Sequence, residues 1–112
     1  MDHEQIEQQT LDWDTRAQGV QTAATAAFAR LLEMAEHGYS GQAKTVANFI
    51  AATFEGQSFK IDLFDLRTVD VSIGDDMLLC LDALRWGKAD LYKLVPHGYR
   101  RIIAMCEKRG LA

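Results

Sequence analysis

Proline is almost absent from this sequence: one residue, Pro96, in 112. Long helices can therefore run without a ring to break them, and no polyproline or collagen-like segment exists. Cysteine is nearly as scarce. Cys80 and Cys106 are too few for a disulfide scaffold, and no CxxC or HxxxH spacing offers a zinc site. No apolar run approaches the roughly 18 residues of a membrane helix. Met1-Asp2-His3-Glu4-Gln5 has neither the basic nor the apolar region of a secretory leader. The expectation is a cytoplasmic protein with both cysteines reduced and packed as small hydrophobes. A Gly-rich phosphate loop is missing. Basic residues are few before position 81. Residues 1–80 hold 13 Asp and Glu against 5 Lys and Arg, while residues 81–112 hold 3 against 7. The net charge of −4 disfavours nonspecific nucleic-acid binding. The asymmetry suits an oriented contact with a charged partner.

What is present is helical periodicity, closed by start and stop signals. Val20, Ala24, Ala27, Phe28, Leu31, Leu32 and Ala35 recur at spacings of 3, 4 or 1 and predict a helix over 20–37, with Gly38 as a left-handed stop. Ser40 is placed to cap a helix over 41–55, whose stripe is Ala43, Val46, Ala47, Ile50 and Phe54. Phe49 falls outside that stripe, so this helix is expected to be covered on more than one side. Asp62 is read as the cap of a single turn, 63–66. Asp70 is read as the cap of a helix over 71–86, with Ile73, Met77, Cys80, Leu81 and Leu84 inward and Gly87 as its stop. Asp90 is expected to cap a turn within 88–95. Pro96 suits the first position of a last helix, 96–109, with Tyr99, Ile102, Ile103 and Cys106 inward and Gly110 beyond. Residues 1–19 are polar apart from Ile6, Leu11 and Trp13 and read as an N-terminal arm or frayed helix that docks through Leu11 and Trp13. The expected fold is all-α: one domain over 20–112, a bundle of four to five helices.

Catalytic chemistry finds little support. Asp62, Asp65, Asp70, Asp75 and Asp76 cluster in sequence, but each sits where a helix wants a cap or a first-turn acid. His3, His37 and His97 share no spacing with other ligands. The reading is therefore no enzyme, no metal and no cofactor. Two surfaces remain. On the 71–86 helix, Asp75, Leu79, Asp82 and Trp86 share a face away from the core stripe. An aromatic anchor with a charged rim is the composition of a small protein interface. The alternatives are that this helix packs on two sides, that residues 1–19 cover Leu79 and Trp86, or that this face joins two copies in a homodimer. On the last helix, His97, Arg100, Arg101 and Lys108 lie on or beside one outward face, near Lys88, Tyr92, Lys93 and Tyr99 in sequence. Bases interleaved with aromatics suit phosphate contact and base stacking.

Two stretches also carry a resemblance. One is Leu31-Leu32-Glu33-Met34-Ala35 continuing through Ser40-Gly41-Gln42-Ala43-Lys44-Thr45-Val46-Ala47-Asn48-Phe49-Ile50. The other is Ile61-Asp62-Leu63-Phe64-Asp65-Leu66 through Asp70 to Asp75-Asp76-Met77-Leu78. Over residues 28–85 the chain resembles a family of small uncharacterised proteins, a domain of unknown function, carried on bacterial plasmids, integrative elements and phages. Members tend to have tryptophan where this chain has Ala51-Ala52-Thr53-Phe54. The resemblance implies a mobile-element accessory protein. Such proteins often bind and block host machinery, including CRISPR effectors. The resulting expectation is non-catalytic protein binding, to a host or element-encoded protein with a basic surface. The alternative is a nucleic-acid-binding regulator using the last helix.

Overall fold

The computed structural model describes residues 2–111; Met1 and Ala112, the outer ends of the expected arm and domain, lie outside them. Four α-helices carry the fold: α1 (His3–His37), α2 (Gly41–Phe54), α3 (Val71–Trp86) and α4 (Gly98–Lys108). Two 3₁₀ segments, Leu63–Thr68 and Leu91–Leu94, lead into α3 and α4. The all-α reading holds, and among the described residues there is no strand. Among the described residues no helix is long and apolar enough to cross a membrane.

The helix expected from Val20 instead begins at His3. Asp2 and Gln5 form a capping box: the Gln5 backbone N–H donates to Asp2 Oδ1 at 2.9 Å and the Asp2 N–H to Gln5 Oε1 at 3.3 Å. With no proline to interrupt it, α1 continues for 35 residues, about 52 Å at 1.5 Å per residue. That length accounts for the 55 Å long axis of a molecule only 28 and 24 Å across.

α1 is the spine. After the three-residue turn at Gly38, α2 folds back on its C-terminal half. Gly38 is not left-handed (φ −79°); a Cβ there would lie 2.7 Å from both the Ala43 Cβ and the Met34 carbonyl oxygen. Glycine serves close approach at this position, whereas Gly87 at φ 65° is a true left-handed stop. Ser40 caps α2 as expected, its Oγ accepting from the Ala43 N–H at 3.1 Å. Asp62 Oδ1 likewise accepts from the Phe64 N–H. Asp70 and Asp90 occupy cap positions without a side-chain cap bond.

α3 runs antiparallel to α1. Arg30 meets Asp76 at one end of the contact and Arg16 meets Trp86 at the other. Phe28, Leu31, Leu32, Val46, Ile50, Met77, Cys80 and Ile102 are fully buried at the junction of all four helices. Each large apolar side chain buried there contributes roughly 1.5–3 kcal/mol. Phe49 is also buried, as expected of a helix covered on two sides. No charged or polar residue is buried among those described.

Expectations fail at three inward assignments and at a second helix start. Tyr99 and Ile103 remain exposed on α4, and Leu84 near the end of α3 does too. α4 begins at Gly98, not Pro96. His97 takes the left-handed conformation (φ 56°), and Gly98 packs so tightly on the Tyr92 carbonyl that a Cβ would overlap its oxygen. Pro96 thus belongs to the preceding turn.

Candidate functional site

The outer face of α3 is built by its own periodicity. Ile73, Met77, Cys80 and Ala83 turn to α1, so the residues half a turn away face solvent. Of the expected four, Asp75 is exposed, Leu79 is 36 % exposed and Asp82 is half-buried. Sequence reading missed two neighbours on this face: Val71 (80 % exposed) and Leu78 (57 %). Spacings of 4, 3 and 4 through Val71, Asp75, Leu78 and Asp82 carried that signal, hidden because Val71 and Leu78 look like core residues. Asp82 accepts from Arg85 Nε at 2.6 Å, a pair three residues apart on an exposed surface. Such pairs contribute little and exchange readily for a partner's cation.

Trp86 does not join this exposed row. The Arg16 guanidinium lies 5.5 Å from its ring centroid, and Ala17, Val20 and Leu94 line the same crevice. Its buried indole N–H has no hydrogen-bond acceptor among the described residues. Near the middle of α1, then, the spine covers the tryptophan while leaving Leu79 at the surface. Beyond Trp86 the first turns of α1 overhang. His3 to Arg16 are all exposed, including Ile6, Leu11 and Trp13, so neither Leu11 nor Trp13 is docked. Glu4, Glu7, Asp12 and Asp14 flank these apolar residues in sequence, so the overhang is acidic as well as apolar.

At the opposite end, the four basic candidates separate into two pairs. Arg101 donates through Nε and Nη2 to the Glu36 carboxylate at 3.0 and 2.6 Å, and through Nη1 to the Pro96 carbonyl. The Glu36 hydrogen bond raises the Arg101 pKa further, against a smaller opposing desolvation. Lys108 Nζ donates to the Glu36 carbonyl, and Arg109 reaches the carbonyls of Ala35 and Gly38 at 2.7 Å each. These cations close the C-terminus of α1, where carbonyls lack intrahelical donors and the helix dipole is negative. His97 and Arg100 stay exposed, with Arg100 Nη2 3.1 Å from His97 Nδ1. Beside them Tyr92, Tyr99 and Phe54 meet edge to face, with centroids 5.3–5.8 Å apart.

One group among the described residues brings three metal-ligating side chains together: Glu33, Glu36 and His37. Both Glu36 oxygens are already taken by Arg101, so the donor set suits an ion pair better than a metal.

No curated protein and no solved structure matches the chain. A family model does, and it extends past the stretches that carried the sequence resemblance to include α4. It matches residues 25–110, more than three-quarters of the chain, which therefore belongs to a family of unknown function, DUF7673.

Proposed function

We propose that the protein acts without catalysis, by binding another protein through the outer face of α3. The observation that carries this reading is the exposed row Val71, Leu78 and Leu79 on the same face as Asp75 and Asp82. Apolar side chains left in water gain by being covered, and the flanking carboxylates select a partner with a basic rim. The acidic overhang of α1 widens the same field and would speed encounter with such a partner. In its sharpest form, the protein is a cytoplasmic mobile-element accessory that occupies the Lys- and Arg-lined nucleic-acid groove of a defence effector such as a CRISPR complex. The family resemblance and charge complementarity support that form.

A tagged pull-down from a bacterial lysate, with and without nuclease, tests the reading. A stoichiometric protein that survives nuclease is expected to be retained. Leu78→Lys and Asp82→Lys should each weaken that complex at least ~10-fold with unchanged melting curves. Equal retention by both variants would remove this face as the site. Trp86 is a poor probe, because its loss also disturbs packing on Arg16.

A second reading, nucleic-acid regulation, is favoured by one observation: Lys93, His97 and Arg100 lie around the partly exposed Tyr92 and Tyr99. Arg101 and Lys108 contribute less than their sequence suggests, since α1 holds them. Partners lost on nuclease treatment, and lost from Arg100→Glu, would favour this surface.

A further inference from the structure

The ends of α1 and α4 meet the start of α2 around an open cleft of about 290 Å³. Tyr39, Lys44, Asn48, Lys108 and Arg109 line it, with one acid, Glu36. Three cations against one carboxylate is unusual for a chain whose net charge is −4. The carboxylate is also occupied, because both its oxygens accept from Arg101 on the far side. Positive charge in the cleft is therefore uncompensated by a free acid of its own lining.

The cations are held in two ways. Lys108 and Arg109 are fixed by bonds to carbonyls at and just past the end of α1, which use one of three ammonium donors and two of five guanidinium donors. The rest remain available on side chains already positioned, which lowers the entropy cost of binding. Lys44 makes no side-chain hydrogen bond or ion pair among the described residues. The half-buried amide of Asn48, one turn further along the same face of α2, makes none either. At the mouth, Tyr39 is 94 % exposed, leaving a flat ring in water beside the cations. The volume is more than a bare phosphate needs and close to the lower limit for small-molecule pockets.

We propose that this cleft binds a phosphorylated small molecule bearing a flat ring, of the nucleotide class. Lys44, Lys108 and Arg109 receive the phosphate, Asn48 hydrogen-bonds beside it, and Tyr39 stacks on the ring. No lining residue belongs to α3 or to the two 3₁₀ segments, so this site stands or falls separately from the protein-binding face.

The test is calorimetric titration of the full chain with ADP, adenosine and inorganic phosphate, at low and at physiological ionic strength. ADP is expected to bind saturably and at least about tenfold more tightly than phosphate, the difference supplied by stacking together with its second phosphate group. Added salt should weaken both phosphate compounds. Lys44→Glu should weaken ADP on the order of tenfold. Tyr39→Ala should reduce the advantage of ADP over phosphate while leaving phosphate affinity unchanged. Both side chains are exposed, so melting curves should not move. Absence of saturable ADP binding, or a Lys44→Glu protein that binds like wild type, would overturn the proposal. Equal affinity for ADP and phosphate in the wild type would overturn the nucleotide assignment.

Discussion

Cys80 shows how much the environment decides about one side chain. Its sequence neighbours give no sign of reactivity, and burial against α1 pushes the thiol from 9.0 up to about 12, with the Asp76 charge adding and Arg30 opposing. Burial raises Cys106 as well. Because the folded pKa is raised, the contribution is fully present below pH 9.0. Above it the unfolded chain loses its thiol proton while the folded chain keeps it, so stability falls as pH rises toward about 12. Urea midpoints measured across that window should fall more steeply for wild type than for Cys80→Ala; parallel slopes would show that the thiol is not desolvated. Two glycines make the same point about backbone. Gly98→Ala should destabilise by about 1–3 kcal/mol or more, because the Tyr92 carbonyl cannot retreat without moving the turn. Gly19→Ala, in open space within α1, should instead stabilise by roughly 0.5–1 kcal/mol. Denaturation of the two variants separates close approach from simple helix propensity.

At the scale of elements, α1 is two things joined. From Ala17 onward it is packed; before that it is a solvated helix that α3 is too short to reach. Isolated helices of this length are marginal in water. Continuity with the packed half removes the nucleation cost, and the Asp2 capping box closes the free end. Deleting residues 2–14 should therefore leave the unfolding free energy from urea titration within ~0.5 kcal/mol of wild type while reducing helical circular dichroism. A loss of several times that would mean that the overhang packs on the domain. Within the helical domain, α2, α3 and the first 3₁₀ turn were legible, because Ser40, Asp62 and Gly87 mark their limits and apolar spacing fills them. The start of α1 was not. Sparse apolar residues among Gln, Glu and Asp give no amphipathic stripe, yet nothing in them forbids a helix that is extended from a neighbour. Pro96 misled for a related reason: proline is compatible with a helix start, but the contact of Gly98 with Tyr92 moved that start two residues on.

At the scale of the molecule, charge is sorted along the long axis. Acidic side chains cover the overhang and the outside of α3, while Arg101, Lys108 and Arg109 gather where α1 ends. The basic last helix read as a free nucleic-acid face because a sequence shows charge but not its partners. Three of its four Lys and Arg side chains over 96–109 are spent closing another helix 65 to 74 residues away in the chain. The α3 face was half legible. Asp75, Leu79 and Asp82 follow from helical spacing, but the assignment of Trp86 required the position of Arg16. Tyr39 and Lys44 carried no signal at all, since a cleft made by three helix ends has no local pattern.

The sequence by itself determined the helices, because caps, glycine stops and 3.6-residue spacing act within a few residues of chain. It also determined the acidic balance. Only the tertiary structure decided which apolar and charged side chains remained at the surface. That depends on how far each helix extends past its neighbours, and on which orphan carbonyls the distant cations were drawn to satisfy.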